Sequence, residues 1–251
     1  MSAADMKLID LKQLLRDYQR DGVVCIRQFL SAAQVKEVRA EVERHIREEL
    51  ASLPPDAATR EADGVTVRNL WRLERYNQKL RAIAESPAVR EIVGALVQGE
   101  PLLGAIETFN KPARVGSGVP YHQDNAYFCQ DPPDMLTVWI AIDPVTQENG
   151  PVYYVRGSHT AGVLPTKPSG VRGNSIGLAE PPVVPLAEQF CALLAPGDAT
   201  IHHCNTIHHS APNTSDHSRL GFLFVFRGSH TGTDAGLKSN YAVAGAATPP
   251  V

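Results

Sequence analysis

The chain has 251 residues, 43% hydrophobic and 20% charged, with a formal net charge of −3. This is the composition of a globular protein with a sizeable core, and it excludes a mainly nucleic-acid-binding surface, because Lys and Arg are scattered instead of massed into a phosphate-tracking block. No run approaches the ~20 apolar residues that cross a bilayer, and MSAADMKLIDLKQLL has neither the basic opening nor the apolar run of a secretory signal.

Taken in chain order, Leu8, Leu11, Leu14, Leu15 and Tyr18 fall at helical spacing, and Asp21-Gly22 ends the pattern. VVCIRQF (23–29) is short and β-branched and predicts a strand. Ser31 with Gln34 has the form of a capping box, and Val35, Val38, Val42, Ile46 and Leu50 make one stripe behind it. SLPPDAATREADG reads as a loop, 69–84 as a further helix, and Ser86-Pro87 as the cap and first position of a helix over 87–97.

From residue 100 the texture changes. PLLGAIETFNKP, YHQDNAYF, MLTVWIAIDPV, GPVYYVRGSH, QFCALLAPGDATIHH and RLGFLFVFRGS are short β-rich runs separated by Gly, Pro and Asn turns, the pattern of a sandwich or barrel. Residues 160–189 are Gly- and Pro-rich without clear strands, a loop long enough to be functional. The small-residue tail YAVAGAATPPV is expected to order only where it covers a site. A single domain over 1–251 is expected, with a mostly helical part (1–98), a β core (99–230) and a tail (231–251). Cys25, Cys129, Cys191 and Cys204 lack any CxxC pairing, so reduced thiols and a cytoplasmic location are expected.

The chemistry concentrates in the second half. In a strand-like YHQDNAYF, His122 and Asp124 at i and i+2 share a face and could hold a metal side by side. A third ligand must then come from afar, and IHHCNTIHHSAPNTSDHSR offers His202, His203, His208, His209 and His217. Two histidines and one carboxylate on one face leave positions open, the arrangement of non-haem Fe(II) oxygenases, whereas zinc more often takes three histidines or cysteines. A dicarboxylate cosubstrate also needs a cation at its far end, preferably the fork of an arginine. Arg219, eleven residues past His208 in the next predicted strand, meets that need.

YHQD at 121–124, WIAID with ENGPVYYVRGSH at 139–159, APGDATIHH at 195–203 and IHHSAPNTSDHSR at 207–219, in this order, resemble the Fe(II)/2-oxoglutarate dioxygenases. The resemblance is narrower still to the phytanoyl-CoA dioxygenase superfamily, which includes ectoine hydroxylase. It implies a mainly β fold with a helical cap (α+β), a double-stranded β-helix or jelly roll with N-terminal helices packed on it. It implies Fe(II) held by His122, Asp124 and His208, with 2-oxoglutarate and O2 as cosubstrates. Trp139 and Gln123 would lie near the 2-oxoglutarate pocket, and Ser210 would join Arg219 on its carboxylate. Some members use an upstream lysine, and Arg68 stands roughly where it would fall. His209 stands where glycine is commoner, so His209 competes with His208 for the ligand role.

Tyr121, Asn125, Tyr127 and Phe128 flank the ligands; Asn125, Tyr127 and Phe128 are the expected substrate contacts. A basic cluster for a CoA pyrophosphate is missing from the sequence, which favours a small polar or natural-product metabolite over an acyl-CoA. Hydroxylation with release of succinate and CO2 is the expected reaction. Desaturation, epimerisation or cyclisation uses the same residues, and a cupin-like metal-binding protein is the alternative without oxygen chemistry. The carboxylate of Asp124 argues against halogenation, whose relatives replace it with Gly or Ala. Oligomeric state is not encoded in any motif here.

Overall fold

The computed structural model describes residues 9–171 and 173–246. Among these residues, a seven-stranded antiparallel sheet runs in the order Val23–Ile26, Ala199–His203, Met135–Ala141, Arg219–Gly228, Pro101–Lys111, Val67–Leu70, Ala58–Arg60. A smaller sheet, in the order Phe190–Cys191, Val152–Tyr154, His208–Ser210, Val119–His122, packs against its inner face. The result is the jelly roll with helices on one side.

Period-two alternation explains how one strand serves both faces. In Met135–Ala141 every residue is buried. Val138 and Ile140 turn outward to the helices, with Ile106, Phe222, Phe224 and Ile201 from neighbouring strands. Trp139 and Ala141 turn inward, with Leu223, against Val152 and Tyr154 of the small sheet. The outer layer is closed by helices Ala32–Glu48, Gln78–Ala84 and Pro87–Leu96, whose Val38, Val42, Leu80, Ile92 and Val93 join the same core.

Local chemistry sets the helix ends. Asp10 accepts from the Lys12 and Gln13 amides, each at 3.0 Å, to start helix Leu11–Asp21. Gly22 ends it at φ +72°, where a Cβ would also lie 2.4 Å from His159. The capping box of Ser31 and Gln34 is formed in both directions. Leu8 of the predicted stripe and residues 247–251 of the tail lie outside the described residues. No helix among the described residues is long and apolar enough to cross a membrane.

The structure departs from the sequence expectations in several places. Residues 67–70 are a strand, not the start of a helix, and the helical stretch breaks into Leu73–Tyr76 and Gln78–Ala84. The break is Asn77, whose side chain caps the Leu80 amide at 3.0 Å and donates to Glu41 at 2.8 Å. Within the expected loop, Ala58–Arg60 pairs with Val67–Leu70 as a sheet edge. The Gly/Pro-rich 160–189 region contains a hairpin, Thr166–Val171 with Asn174–Leu178, whose prolines and glycines disguised it. Residues 235–246 of the tail region form a helix, Ala235–Ala246, that packs on this hairpin and on Asn125–Phe128.

Candidate active site

YHQDNAYF is not one strand. The strand ends at His122; Asp124 has helical dihedrals (φ −60°, ψ −34°) and opens a single helical turn, Asn125–Phe128. Alternation therefore does not assign the residues that follow. His122 instead meets His208 directly across the antiparallel pair, their ring centroids 4.1 Å apart. Nε2 of His122 and of His208 lie 3.7 and 3.5 Å from the same oxygen, Oδ1 of Asp124. One donor atom from each of the three residues falls within 4.8 Å of the others, so the group could hold a metal ion.

The surroundings prepare those donors. Nδ1 of His122 reaches the Pro120 carbonyl and Nδ1 of His208 the Thr206 carbonyl, both at 2.9 Å, which turns each Nε2 lone pair inward. Burial pushes both imidazoles below their usual pKa, keeping them neutral. Burial would raise Asp124, but His208, His202 and His122 outweigh it and hold the carboxyl well below its usual range. Its second oxygen, Oδ2, is taken by Thr137 Oγ1 at 2.8 Å and His202 Nε2 at 3.0 Å. One carboxylate oxygen is thus anchored and the other offered. Two histidines and a carboxylate with one open side are the donor set of a non-haem iron centre.

The other distal histidines separate by position. His209 faces away from the triad, with Nε2 3.1 Å from Gln189 and its ring stacked on Tyr153. His203 accepts from the Asn205 amide, and His217 is exposed.

Beside the triad is a narrow cavity of ≈ 90 Å³ whose far end is basic. Arg219 is 2% exposed, with Cζ 4.9 Å above the Trp139 ring and one nitrogen donating to the Gly150 carbonyl at 2.8 Å. Its Nε has no partner, and among the described residues it pairs with no carboxylate. Burial lowers it to about 10. Gly221, two residues on, makes this stacking possible: a Cβ there would lie 2.3 Å from the Trp139 ring. Lys111 stands directly opposite Arg219 on the neighbouring strand, and burial, then Arg219 and Arg68, hold it down to about 6. Ser210 and Arg68 line the same cavity, and Arg68 leans on the Gly118 carbonyl. Three buried basic side chains, Arg68, Lys111 and Arg219, thus gather at one closed end, and among the described residues Glu61 is the one carboxylate acting on Arg68 and Lys111, a setting suited to an anion that would recharge Lys111.

A wider cavity of ≈ 920 Å³ opens on the other side of the triad and shares His122, Asp124, Glu107, Phe109 and Phe128 with the narrow one. Tyr127 and Phe128 stand in its wall, as do Gly170, Val171 and Asn174 of the hairpin and Tyr241 of the last helix. Burial, then Asp124, pushes Glu107 up to about 8. Two expected site residues are placed elsewhere. Gln123 spends its amide on the Gly162 and Asn205 carbonyls and the Leu164 amide, and Asn125 exchanges hydrogen bonds with the Gln130 backbone. Both are fully buried and line neither cavity, so they position the loop around the ligands.

Lys111, Thr137 and Glu107 were not foreseen as site residues, and His202, offered by the sequence as a candidate ligand, instead bonds Oδ2 of Asp124. A signal existed for two of them: Glu107 and Lys111 are charges four apart in the otherwise apolar strand LLGAIETFNK, and alternation puts them on one face.

A jelly roll that presents an open His-Asp-His face beside a buried arginine defines the class of Fe(II)- and 2-oxoglutarate-dependent oxygenases. The sequence model described as phytanoyl-CoA dioxygenase (PhyH) matches residues 18–221, and the chain belongs to that family. It is 28% identical over 228 residues to L-proline trans-4-hydroxylase of Streptomyces griseoviridis, covering 83% of each chain. It is 25% identical over 229 residues to ectoine dioxygenase of Stutzerimonas stutzeri (strain A1501), covering 85% of this chain and 76% of the relative. Among solved structures, the non-heme monooxygenase ThoJ matches with a TM-score of 0.71 at 25% identity, over 88% of this chain and 80% of that one. The epimerase SnoN from nogalamycin biosynthesis shares the fold, with a TM-score of 0.71 at 24% identity, over 90% of this chain and 88% of that one. The protein is an Fe(II)/2-oxoglutarate-dependent oxidoreductase acting on a small molecule, with O2 as the second cosubstrate.

Proposed function

We propose that the chain hydroxylates a small polar or natural-product metabolite, with release of succinate and CO2. His122, Asp124 and His208 would hold Fe(II), since their donor set fits it and the second oxygen of Asp124 is already anchored. Bound iron, 2-oxoglutarate and O2 supply the oxidising power. Arg219, with Ser210 and Lys111, binds the distal carboxylate of 2-oxoglutarate, and Trp139 walls it off from water. Tyr127 and Phe128 bound the substrate beside the metal. The protein's part is to position two reactants on opposite sides of one ion and to exclude water.

The observation that carries this reading is Arg219: a buried guanidinium with an unpartnered Nε, stacked on Trp139 at the closed end of a cavity floored by the triad. A cupin-like binding protein has no use for such a clamp. Likeness of fold to an epimerase and a carbocyclase supports, as a second reading, epimerisation or cyclisation at the same residues. The free thiols among the described residues support a reducing compartment, the cytoplasm.

The test is anaerobic addition of Fe(II) and then 2-oxoglutarate to metal-free protein, following the weak visible charge-transfer band of the chelate. We expect a band in the wild type that is lost in Asp124→Ala and weakened in Arg219→Ala. Tight iron binding without any band would remove the oxygenase reading.

A further inference from the structure

Basic and acidic side chains are unevenly divided between the two cavities that meet at His122 and Asp124. Every Lys and Arg that touches either of them, among the described residues, lies at the narrow end: Arg68, Lys111 and Arg219. Among the described residues, the wide cavity is lined by no Lys or Arg but by three carboxylic side chains, Asp56, Glu107 and Asp124. Two of these acids are already engaged. Asp124 faces the histidines, and Asp56 is an exposed rim residue paired with Arg72 at 2.6 Å.

Glu107 is different. It projects from the same strand face as Lys111, four residues away and so about 13 Å along the strand, and it lines both cavities. Among the described residues it has no hydrogen-bond or ion-pair partner. Glu107 is half-buried, and a carboxylate partly withdrawn from water with no partner is stabilised when a ligand supplies the opposite charge. Around it the wall is aromatic: Phe109 meets Trp71 edge-on at 5.4 Å, and Tyr127 meets Tyr241 at 5.6 Å. A carboxylate among aromatic faces is the chemistry that recognises an organic ammonium ion. The volume, ≈ 920 Å³, is near the upper end of the ~300–1,000 Å³ that encloses drug-sized ligands, so a free amino acid would leave most of it empty.

We propose that the substrate is an amine-bearing molecule with a sizeable apolar or aromatic body, its ammonium group paired with Glu107 beside the metal and its body against Trp71, Phe109 and Tyr241. This rests on the oxygenase reading above and deepens it by naming the substrate class.

The test is calorimetric titration of the anaerobic Fe(II)·2-oxoglutarate protein with three probes of matched body: tryptamine, indole-3-ethanol and indole-3-propionate. The wild type is expected to bind tryptamine about tenfold or more tighter than the neutral and anionic probes. Glu107→Gln, nearly isosteric, is expected to lose that preference, and Glu107→Asp to keep part of it. The charge-transfer band of each variant reports that iron and 2-oxoglutarate are still held. No ammonium preference in the wild type, or a preference that survives Glu107→Gln, overturns the proposal while leaving the oxygenase reading intact if the band is present. Absence of the band in the wild type is the separate failure of that reading.

Discussion

The two sides of the metal-binding triad are built on opposite principles. On one side the cavity is narrow and closed by core strands, and its far end carries basic side chains held in place by burial, stacking and strand pairing. On the other it is wide and aromatic, and its walls come partly from a hairpin and a terminal helix added to the jelly roll. The difference shows how one scaffold can keep its cosubstrate and change its substrate. The proposed cosubstrate end is made of residues whose removal would disturb the central sheet, whereas the proposed substrate end is partly bounded by appended segments that can vary without touching it.

The sharpest way to break this contrast is Arg219→Ala. It removes the guanidinium proposed to hold the distal carboxylate of 2-oxoglutarate and takes away the group stacked on Trp139, so binding of 2-oxoglutarate should weaken by roughly a hundredfold or more, with the Kd for Fe(II) alone little changed. Equal losses for iron and cosubstrate would show that the two functions are not divided as described. A smaller effect is expected from His202→Ala. Its Nε2 anchors Oδ2 of Asp124 at 3.0 Å, and losing such an outer partner typically costs about 10–100-fold in metal affinity. Iron binding measured by competition with a chelator should fall within that range, and an unchanged affinity would mean that Thr137 alone orients the carboxylate.

The smallest effect concerns pH. In the free protein Lys111 is held down to about 6, by burial first and then by Arg219 and Arg68, so it is mostly neutral at pH 7.5. A bound dicarboxylate raises its pKa, so binding takes up a proton. Affinity for 2-oxoglutarate should therefore fall as pH rises above about 6, by at most about tenfold per unit, until the pKa of the bound state is passed. Calorimetry in two buffers of different ionisation heat measures the proton uptake, and Lys111→Met should abolish it. No uptake in the wild type would take Lys111 out of the cosubstrate site.

The narrow cavity was the more legible in the sequence because His208, Ser210 and Arg219, which line it, sit buried in regular strands with distinctive spacing. The substrate side was less legible, for physical reasons. After His122 the chain turns helical, so alternation cannot place the residues that follow, and the Asn125 amide, expected to meet substrate, is spent on the Gln130 backbone. The hairpin at 166–178 is paired only with itself and carries Pro168, Gly170 and Gly173, so it shows no hydrophobic alternation to read. Trp71 and Tyr241 reach the cavity from segments far away in the chain, a juxtaposition that only the fold creates.

The most direct test of the division is a crystal structure of the protein grown anaerobically with Fe(II) and 2-oxoglutarate. The account predicts iron on His122, Asp124 and His208, the distal carboxylate of 2-oxoglutarate on Arg219 and Lys111, and the wide cavity beside Glu107 free of cosubstrate. Cosubstrate lying against Glu107, or a metal held without Asp124, would contradict it.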